Sequence, residues 1–276
     1  MSTIRRHPLP SYFVLTYGIT WGGILAYLAS LGFELSRIGA TEALVIFGFM
    51  AAGPSTSGLL LTALLDGRRG LGDLLGRFRR VWVAPRWYTL ALLACPILLL
   101  VVLFPLSAVA GADYAPAFLP LGIAFGLLAG AFEEIGWTGF ATPRLLDRYT
   151  PLRAGLVLGL TWAAWHGLAD FSGNVSSMGV GAWAIWMVAN WIVPLTAYRV
   201  LMTWAYSHHR SMMLGMLMHA SYTGWLAALT MEMPAGTGLA ALTWSVPFAL
   251  GLWALVVVLV VRSRAAWQPG PVGSPA

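Results

Sequence analysis

Two consecutive acids and two histidines stand inside stretches of sequence that are otherwise almost entirely apolar. Glu133 and Glu134 lie in the run Ala131–Trp137, and His166 and His219 lie in two later apolar runs. A carboxylate near the centre of a bilayer costs roughly 2.5–3.5 kcal/mol on insertion scales, so an acid in such a run is a functional hypothesis by default. A carboxylate and a neutral imidazole can jointly activate water, and a second imidazole can stabilise an oxyanion.

Two other interpretations of these residues stay open at this point. Two histidines and one carboxylate are an accepted ligand set for Zn²⁺, which here would be Glu133, His166 and His219. The polar groups could also serve only to hold helices together. The sequence has no His-Glu-x-x-His run and no Gly-x-Ser-x-Gly run, so neither the common zinc protease signature nor a serine nucleophile elbow is indicated.

Helical spacing gives these residues neighbours. Trp162 and His166 are four positions apart, as are His219 and Thr223, so each pair shares a helix face. The two glutamates point about 100° apart around their helix, which predicts different roles. Thr138 lies one turn beyond Glu134, where a partner for that acid is expected.

The composition is typical of an integral membrane protein. Hydrophobic residues make up 59% of the 276 positions and charged residues only 9%, with a mean hydropathy of +0.76. Such a chain cannot cover its surface with polar groups in water, and 14 Trp and 31 Gly are typical of spanning helices. The single cysteine, Cys95, excludes an internal disulfide.

Apolar runs of roughly 20 residues predict an all-α polytopic membrane protein with about eight transmembrane helices. We place one transmembrane domain over residues 1–265 and a disordered tail over 266–276, which is rich in Pro, Gly and Ser. The predicted spans are 11–32, 43–65, 87–110, 117–141, 153–171, 179–204, 211–231 and 239–261.

The basic residues predict the orientation. All 16 are Arg, and with both termini in the cytoplasm every one except Arg37 falls on the cytoplasmic side, including Arg199 beside the sixth span. The charge is therefore a topology signal and does not indicate nucleic-acid binding, although the Arg-rich loop 68–86 could attract anionic lipid. All-Arg usage fits a GC-rich genome and suggests a bacterial plasma membrane. The acids assigned to the opposite side are Glu34, Glu42, Asp113, Asp170 and Glu232.

This topology places the ionisable residues at one level. Glu133 lies about 12 Å from the predicted cytoplasmic face, and His166 and His219 lie within roughly 12–20 Å of it. Three helices thus bring their titratable groups to a comparable depth, which favours one shared site over scattered structural histidines.

The motifs resemble those of the intramembrane CAAX-protease and bacteriocin-processing family. The family's Glu-Glu-x-x-x-Arg motif corresponds to Glu133 through Thr138, followed by Gly139-Phe140 and Pro143-Arg144-Leu145. Its second motif, an aromatic residue before a histidine, corresponds to Trp162 through His166, and its third, His-x-x-x-Asn, to His219 through Thr223. The resemblance implies a CAAX-protease-like bundle with its core at about 115–235.

The resemblance also implies roles. It implies that Glu133 and His166 activate water, that His219 and Thr223 bind the oxyanion, and that Glu134, Thr138 and Trp162 support them, without a metal or other cofactor. The implied substrate is a membrane-embedded or lipidated peptide.

Two departures from the motifs bear on activity. Thr138 replaces the motif arginine, which should leave Glu134 protonated or hydrogen-bonded to the threonine unless Arg144 substitutes. Thr223 replaces the usual asparagine. The alternative to a protease is therefore a catalytically weak or inactive member that binds a membrane partner or confers bacteriocin immunity. A transporter is disfavoured because no inverted repeat is visible. Oligomeric state is not indicated by the sequence.

Overall fold

The computed structural model describes residues 2–233 and 238–262, and within them the chain forms helices and no β-strand. The tail predicted at 266–276 lies outside the described residues. The helices are α1 Ser2–Arg6, α2 Pro8–Ser30, α3 Ala40–Phe78, α4 Pro85–Ala110, α5 Pro120–Gly136, α6 Thr142–Leu146, α7 Pro151–Met187, α8 Val193–His209, α9 Met212–Thr230 and α10 Leu242–Arg262. Proline opens α2, α4, α5 and α7, where its missing N–H leaves no helical hydrogen bond unmade.

Long apolar helices confirm the prediction of an all-α membrane protein. In the described residues, five segments are long and apolar enough to cross a membrane. They are Pro8–Ser30, Ala40–Phe78, Pro85–Ala110, Pro151–His209 and Leu239–Arg262. The number of eight spans stays a prediction, as does the orientation of the termini.

Two glycines break long helices where the sequence predicted connections. Gly67 has φ +61° inside α3, after which the chain is helical again to Phe78, so most of the predicted loop 68–86 is helix. Gly179 has φ +75° inside α7, at the first residue of the predicted sixth span. A π-helical turn, Val188–Ile192, then leads directly into α8. The positive φ at both positions is one that glycine adopts without steric strain.

A glycine face on α5 lets this helix lie against α9. A Cβ atom added at Gly126 would overlap the backbone of Gly224, so only glycine permits the observed approach. The same holds one turn on either side, at Gly122 and Gly130. Small residues at intervals of four are how membrane helices bring their backbones together. This contact carries the end of α5, with its two glutamates, towards His219.

A second glycine contact joins α7 to α8. A Cβ at Gly159 would stand 2.7 Å from Cα of Thr196 and 3.2 Å from Cβ of Arg199, and Gly155 faces Val200 in the same way. The close approach aligns the next turn of α7, at Trp162, with Arg199. Glycine spacing on two helices therefore sets the distances between the polar groups.

Candidate active site

Glu134, near the end of α5, is the most heavily bound carboxylate of the polar cluster. The two terminal nitrogens of Arg199 donate to its two oxygens at 2.8 and 2.9 Å. The Thr138 hydroxyl donates to the same carboxylate, and Nδ1 of His219 lies 2.7 Å from Oε1. Neither Glu134 nor Arg199 has any exposed side-chain surface. The cation and the donors replace the hydration that burial removes, which stabilises the carboxylate in its ionised form.

The cation that the motif lacks at position 138 therefore comes from another helix. Our assignment of Arg199 to the cytoplasmic flank of the sixth span is wrong, since this side chain is fully buried on α8. The expectation that Glu134 lacks a cation is also wrong, whereas its hydrogen bond to Thr138 is confirmed. A signal was present in the sequence, because position 199 lies inside the predicted span 179–204 while an acid at depth had no partner.

Arg144, the substitute considered from the sequence, binds elsewhere. After α5 the chain passes through a π-helical turn, Trp137–Ala141, into α6. Arg144 then lies 3.7 Å above the Phe140 ring, donates to the Phe140 carbonyl at 3.1 Å and pairs with Asp66 at 2.5 Å. Its guanidinium thereby ties α6 to α3 and leaves Glu134 to Arg199.

Glu133 has different surroundings from its neighbour. Its Oε2 accepts hydrogen bonds from Nε1 of Trp162 at 3.1 Å and Nε1 of Trp137 at 3.4 Å. Nε2 of His219 lies 4.0 Å from the same oxygen. Within the described part of the chain, Oε1 accepts no hydrogen bond. The two adjacent acids therefore differ in environment, as their angular separation on the helix predicts.

Trp162 lies at the centre of the cluster and contacts every side of it. Its indole N–H binds Glu133, and its ring lies 4.0 Å from the guanidinium carbon of Arg199 in a cation–π contact. The rings of His219 and His166 meet it edge-on at 4.8 and 5.7 Å. The Trp162 indole therefore lies between the acid, the cation and both histidines and contacts all of them.

His166 is held from two directions. Its Nδ1 lies 2.9 Å from the carbonyl oxygen of Trp162, and its ring stacks on Trp191 at 4.3 Å with an interplanar angle of 23°. A carbonyl can only accept, so Nδ1 carries the proton and Nε2 of the neutral ring is left with a lone pair. His166 is 9% exposed, against 3% for Glu133 and 1% for His219. The cluster is therefore least covered at His166.

Thr223 is half-buried on α9, one turn beyond His219. Its hydroxyl makes no side-chain hydrogen bond within the described part of the chain, so a donor is left available there. The predicted site residues that lie in one cluster are Glu133, Glu134, Thr138, Trp162, His166 and His219, with Thr223 on the adjoining turn of α9.

Asp170 was assigned with the acids on the side opposite the arginines and was not counted among the ionisable residues at depth; that exclusion is wrong, while its side of the membrane stays a prediction. It lies within α7, one turn after His166, and is 8% exposed. Its carboxylate accepts hydrogen bonds from the indoles of Trp183, Trp186 and Trp191. The burial of an acid among three tryptophans could not be foreseen from hydropathy, because the donors follow the helix break at Gly179.

A metal site is not apparent in the residues that the structure describes. Among them, no group of three His, Cys, Asp or Glu side chains has an arrangement that could hold a metal ion. Nδ1 of His219 is bonded to Glu134 and Nδ1 of His166 to a backbone carbonyl, so each histidine would have only Nε2 to offer. Zinc dependence stays a matter for experiment.

Comparison with known proteins connects this region to a family. Residues 115–225 match the family model described as type II CAAX prenyl endopeptidase Rce1-like. CAAX prenyl protease 2 of Methanococcus maripaludis is 28% identical over 110 residues. That alignment covers 40% of this chain and 40% of the relative. The matched region includes Arg199 and every residue of the polar cluster.

Proposed function

Because residues 115–225 match a CAAX prenyl endopeptidase family model, we propose that the chain belongs to this family and is a glutamate-dependent intramembrane endopeptidase. Its substrate is a membrane-embedded or lipidated peptide that is cut near the cytoplasmic leaflet. A prenylated peptide is the first candidate, because the relative from Methanococcus maripaludis is a CAAX prenyl protease.

The observation that carries this proposal is the arrangement of one acid and two histidines around the Trp162 ring. Glu133, His166 and His219 come from α5, α7 and α9, yet each contacts the same indole. Three titratable groups on one buried aromatic ring are more than helix packing requires. Peptide hydrolysis needs a base, a group that orients water and an oxyanion donor, which are the functions these groups can perform.

Glu133 is the proposed general base. Two indole N–H groups bind its Oε2 and so fix the direction of the carboxylate. Oε1 is left to accept a proton from water. Nε2 of His166, with its lone pair, is the second acceptor for the same water.

His219 is the proposed oxyanion donor. The Glu134 carboxylate, paired with Arg199, can only accept, so Nδ1 of His219 carries a proton. Glu134 orients the ring, as a third group does for histidine in hydrolase triads, and in the proposed step the doubly protonated ring donates Nε2–H to the developing oxyanion. The Thr223 hydroxyl is the second donor.

The proposed reaction needs only these groups and one water molecule. Water attacks the scissile carbonyl carbon while Glu133 takes one of its protons. The tetrahedral oxyanion is held by His219 and Thr223. When the C–N bond breaks, Glu133 returns the proton to the departing amine, which leaves a carboxylic acid and an amine; the acid then loses its proton to solvent.

The non-catalytic alternative rests on the departures at positions 138 and 223. The departure at position 138 does not leave Glu134 without a cation, because Arg199 pairs with this acid. Thr223 keeps a hydroxyl donor on the same helix face as His219. No contact among the described residues specifically favours the partner-binding alternative.

The test is cleavage of a fluorogenic prenylated peptide by the full chain in proteoliposomes, comparing wild type with Glu133→Gln. Loss of a general base lowers kcat roughly 10²- to 10⁴-fold. Glu34→Gln, an exposed acid, is the control and should cleave at the wild-type rate. Equal kcat for Glu133→Gln and wild type would remove Glu133 as the base.

Chelation separates the metal-free proposal from a zinc enzyme. Stringent chelation should leave turnover of the wild-type protein unchanged. If activity were lost and then restored by Zn²⁺, Glu133, His166 and His219 would become candidate ligands in place of the roles above.

Anionic lipid is the proposed partner of the basic side of the molecule. An open groove of about 930 Å³ lies between α3, α6 and the end of α8. Five arginines line this groove, against three acids, Asp66, Asp73 and Asp147, so its charge is net basic. Binding to phosphatidylglycerol vesicles over phosphatidylcholine vesicles, lost in Arg69→Ser/Arg80→Ser, tests this partner; equal binding to both would exclude it. The arginines of the groove are Arg69, Arg77, Arg80, Arg144 and Arg210.

A further inference from the structure

Asp170 accepts an unusual number of hydrogen bonds for a carboxylate in a membrane protein. Nε1 of Trp191 donates to Oδ1 at 2.8 Å and Nε1 of Trp186 donates to the same oxygen at 3.1 Å. Nε1 of Trp183 donates to Oδ2 at 2.9 Å, and the Asn174 amide donates to Oδ1 at 3.1 Å. These four uncharged donors surround one buried acid, and the three indole N–H groups would otherwise be unsatisfied polar groups in an apolar setting.

The donors join two parts of the chain that the Gly179 break separates. Asp170 and Asn174 precede the break, whereas all three tryptophans follow it. Trp191 lies in the π-helical turn Val188–Ile192, an irregularity that is frequent at functional sites. The hydrogen bonds to Asp170 thus join the chain after Gly179 to the part of α7 that precedes Gly179.

Trp191 connects this fastening to the cluster around Trp162. Its ring stacks on the ring of His166, while its N–H is bonded to Asp170. His166 and Asp170 are one turn apart on α7 and share a face, so Trp191 bridges them. Of the three tryptophans bonded to Asp170, Trp191 is the one whose ring lies against His166 in the described contacts.

We propose that Asp170 and Trp191 are positioning residues for His166. Asp170 holds the Trp191 indole, and the indole holds the imidazole plane so that Nε2 points at the water beside Glu133. The Trp162 carbonyl fixes one edge of the ring, and Trp162 and Trp165 meet it edge-on. Trp191 is the ring that stacks on its face, and this contact fixes the plane of the imidazole. This inference rests on the proposed function, in which His166 acts on water.

A matched pair of variants tests the connection. Trp191→Phe and Trp183→Phe each remove one indole N–H from Asp170, at 2.8 and 2.9 Å, and each keep an aromatic ring. Because misplacement of a reacting group by about 1 Å can lower the rate about 100-fold, Trp191→Phe should lower kcat by about 10- to 100-fold with little change in KM. Trp183→Phe should stay within about threefold of wild type. Equal kcat for the two variants would overturn the proposal.

A second measurement asks whether Asp170 acts through Trp191. In an Asp170→Leu background, which has no acceptor for the indole, Trp191→Phe should have no additional effect on kcat, since the hydrogen bond is already absent. Multiplicative effects would show that the two residues act separately. If Asp170→Leu does not fold, the comparison of Trp191→Phe with Trp183→Phe decides the proposal without it.

A readout without substrate separates this proposal from the proposed function. The protein has five histidines, so the ring signals of His166 can be assigned in ¹⁵N-histidine-labelled protein by their loss in His166→Gln. Asp170→Leu, which removes the acceptor for the Trp191 N–H, should shift or broaden these signals, and Trp183→Phe should leave them in place. Unchanged His166 signals in Asp170→Leu would overturn positioning. If no peptide is cleaved, the proposed function fails while this spectrum still decides the positioning.

Discussion

Arg199 and Glu134 are 65 residues apart in the chain, yet the guanidinium of one holds both carboxylate oxygens of the other at 2.8 and 2.9 Å. Family resemblance places this cation one helical turn from the acid, at the position of Thr138. Here a threonine fills that position, and the guanidinium enters from α8 across the glycine contact between α7 and α8. An apparently incomplete motif is therefore completed in space.

Removal of the arginine should unfold or severely weaken the protein. Arg199→Met leaves Glu134 ionised, buried and without a cation, and breaking one side of a buried pair costs about 3–5 kcal/mol. Thermal unfolding in detergent should show a lower midpoint than wild type, and cleavage should be lost. The exposed Arg148→Met is the control and should melt like wild type. An unchanged midpoint for Arg199→Met would contradict the ion pair.

Returning the cation to the motif position should repair that loss. Thr138→Arg alone should be destabilised, because two buried cations then face one carboxylate and the larger side chain meets Gly215 on α9. In the double variant Arg199→Met/Thr138→Arg, the melting midpoint should exceed that of Arg199→Met. If the decrease in midpoint of the double variant equals the sum of the decreases of the two single variants, an arginine at position 138 does not replace Arg199.

The indole N–H of Trp162 should matter more than its ring. Trp162→Phe keeps an aromatic face for Arg199 but removes the hydrogen bond to Glu133, and hydrogen bonds to charged groups contribute about 1.5–3 kcal/mol. We expect kcat to fall about 10-fold or more, since RT gives a factor of 10 for about 1.4 kcal/mol.

Trp165→Phe is the control for Trp162→Phe. Trp165 is equally buried on the same helix, but its Nε1 has no hydrogen-bond partner in the described residues. This variant loses the same ring volume without losing a bond to an acid. If both variants have the same kcat, the role of Trp162 is packing alone.

The glycine contact between α5 and α9 should be intolerant of a single methyl group. A Cβ at Gly126 would overlap the Gly224 backbone, and overpacking of this kind costs about 1–3 kcal/mol. Gly126→Ala should therefore lower the melting midpoint and the activity together. Gly18→Ala on α2, whose Cβ would meet no atom within 4 Å, should melt at or above the wild-type midpoint. Equal midpoints would mean that α5 and α9 are further apart.

The sequence by itself determined the class of the molecule and singled out the residues proposed to carry its chemistry. Hydropathy alone predicts membrane helices, because the hydrocarbon core admits only segments that satisfy their own backbone. Ionisable groups in such helices are so costly that Glu133, Glu134, His166 and His219 stand out without a structure. Spacing within one helix was also sufficient for Thr138, whose hydroxyl lies one turn from Glu134 and binds it.

Only the tertiary structure decided how partners from different helices meet. Periodicity describes neighbours on one helix, but it does not tell which faces of α5, α7 and α8 approach each other. Arg199 was therefore taken for a flanking cation and Asp170 for a loop acid, although both are buried. The helix break at Gly179 and the glycine contacts of α5 and α7 set these approaches, and they depend on backbone distances that no residue pattern measures.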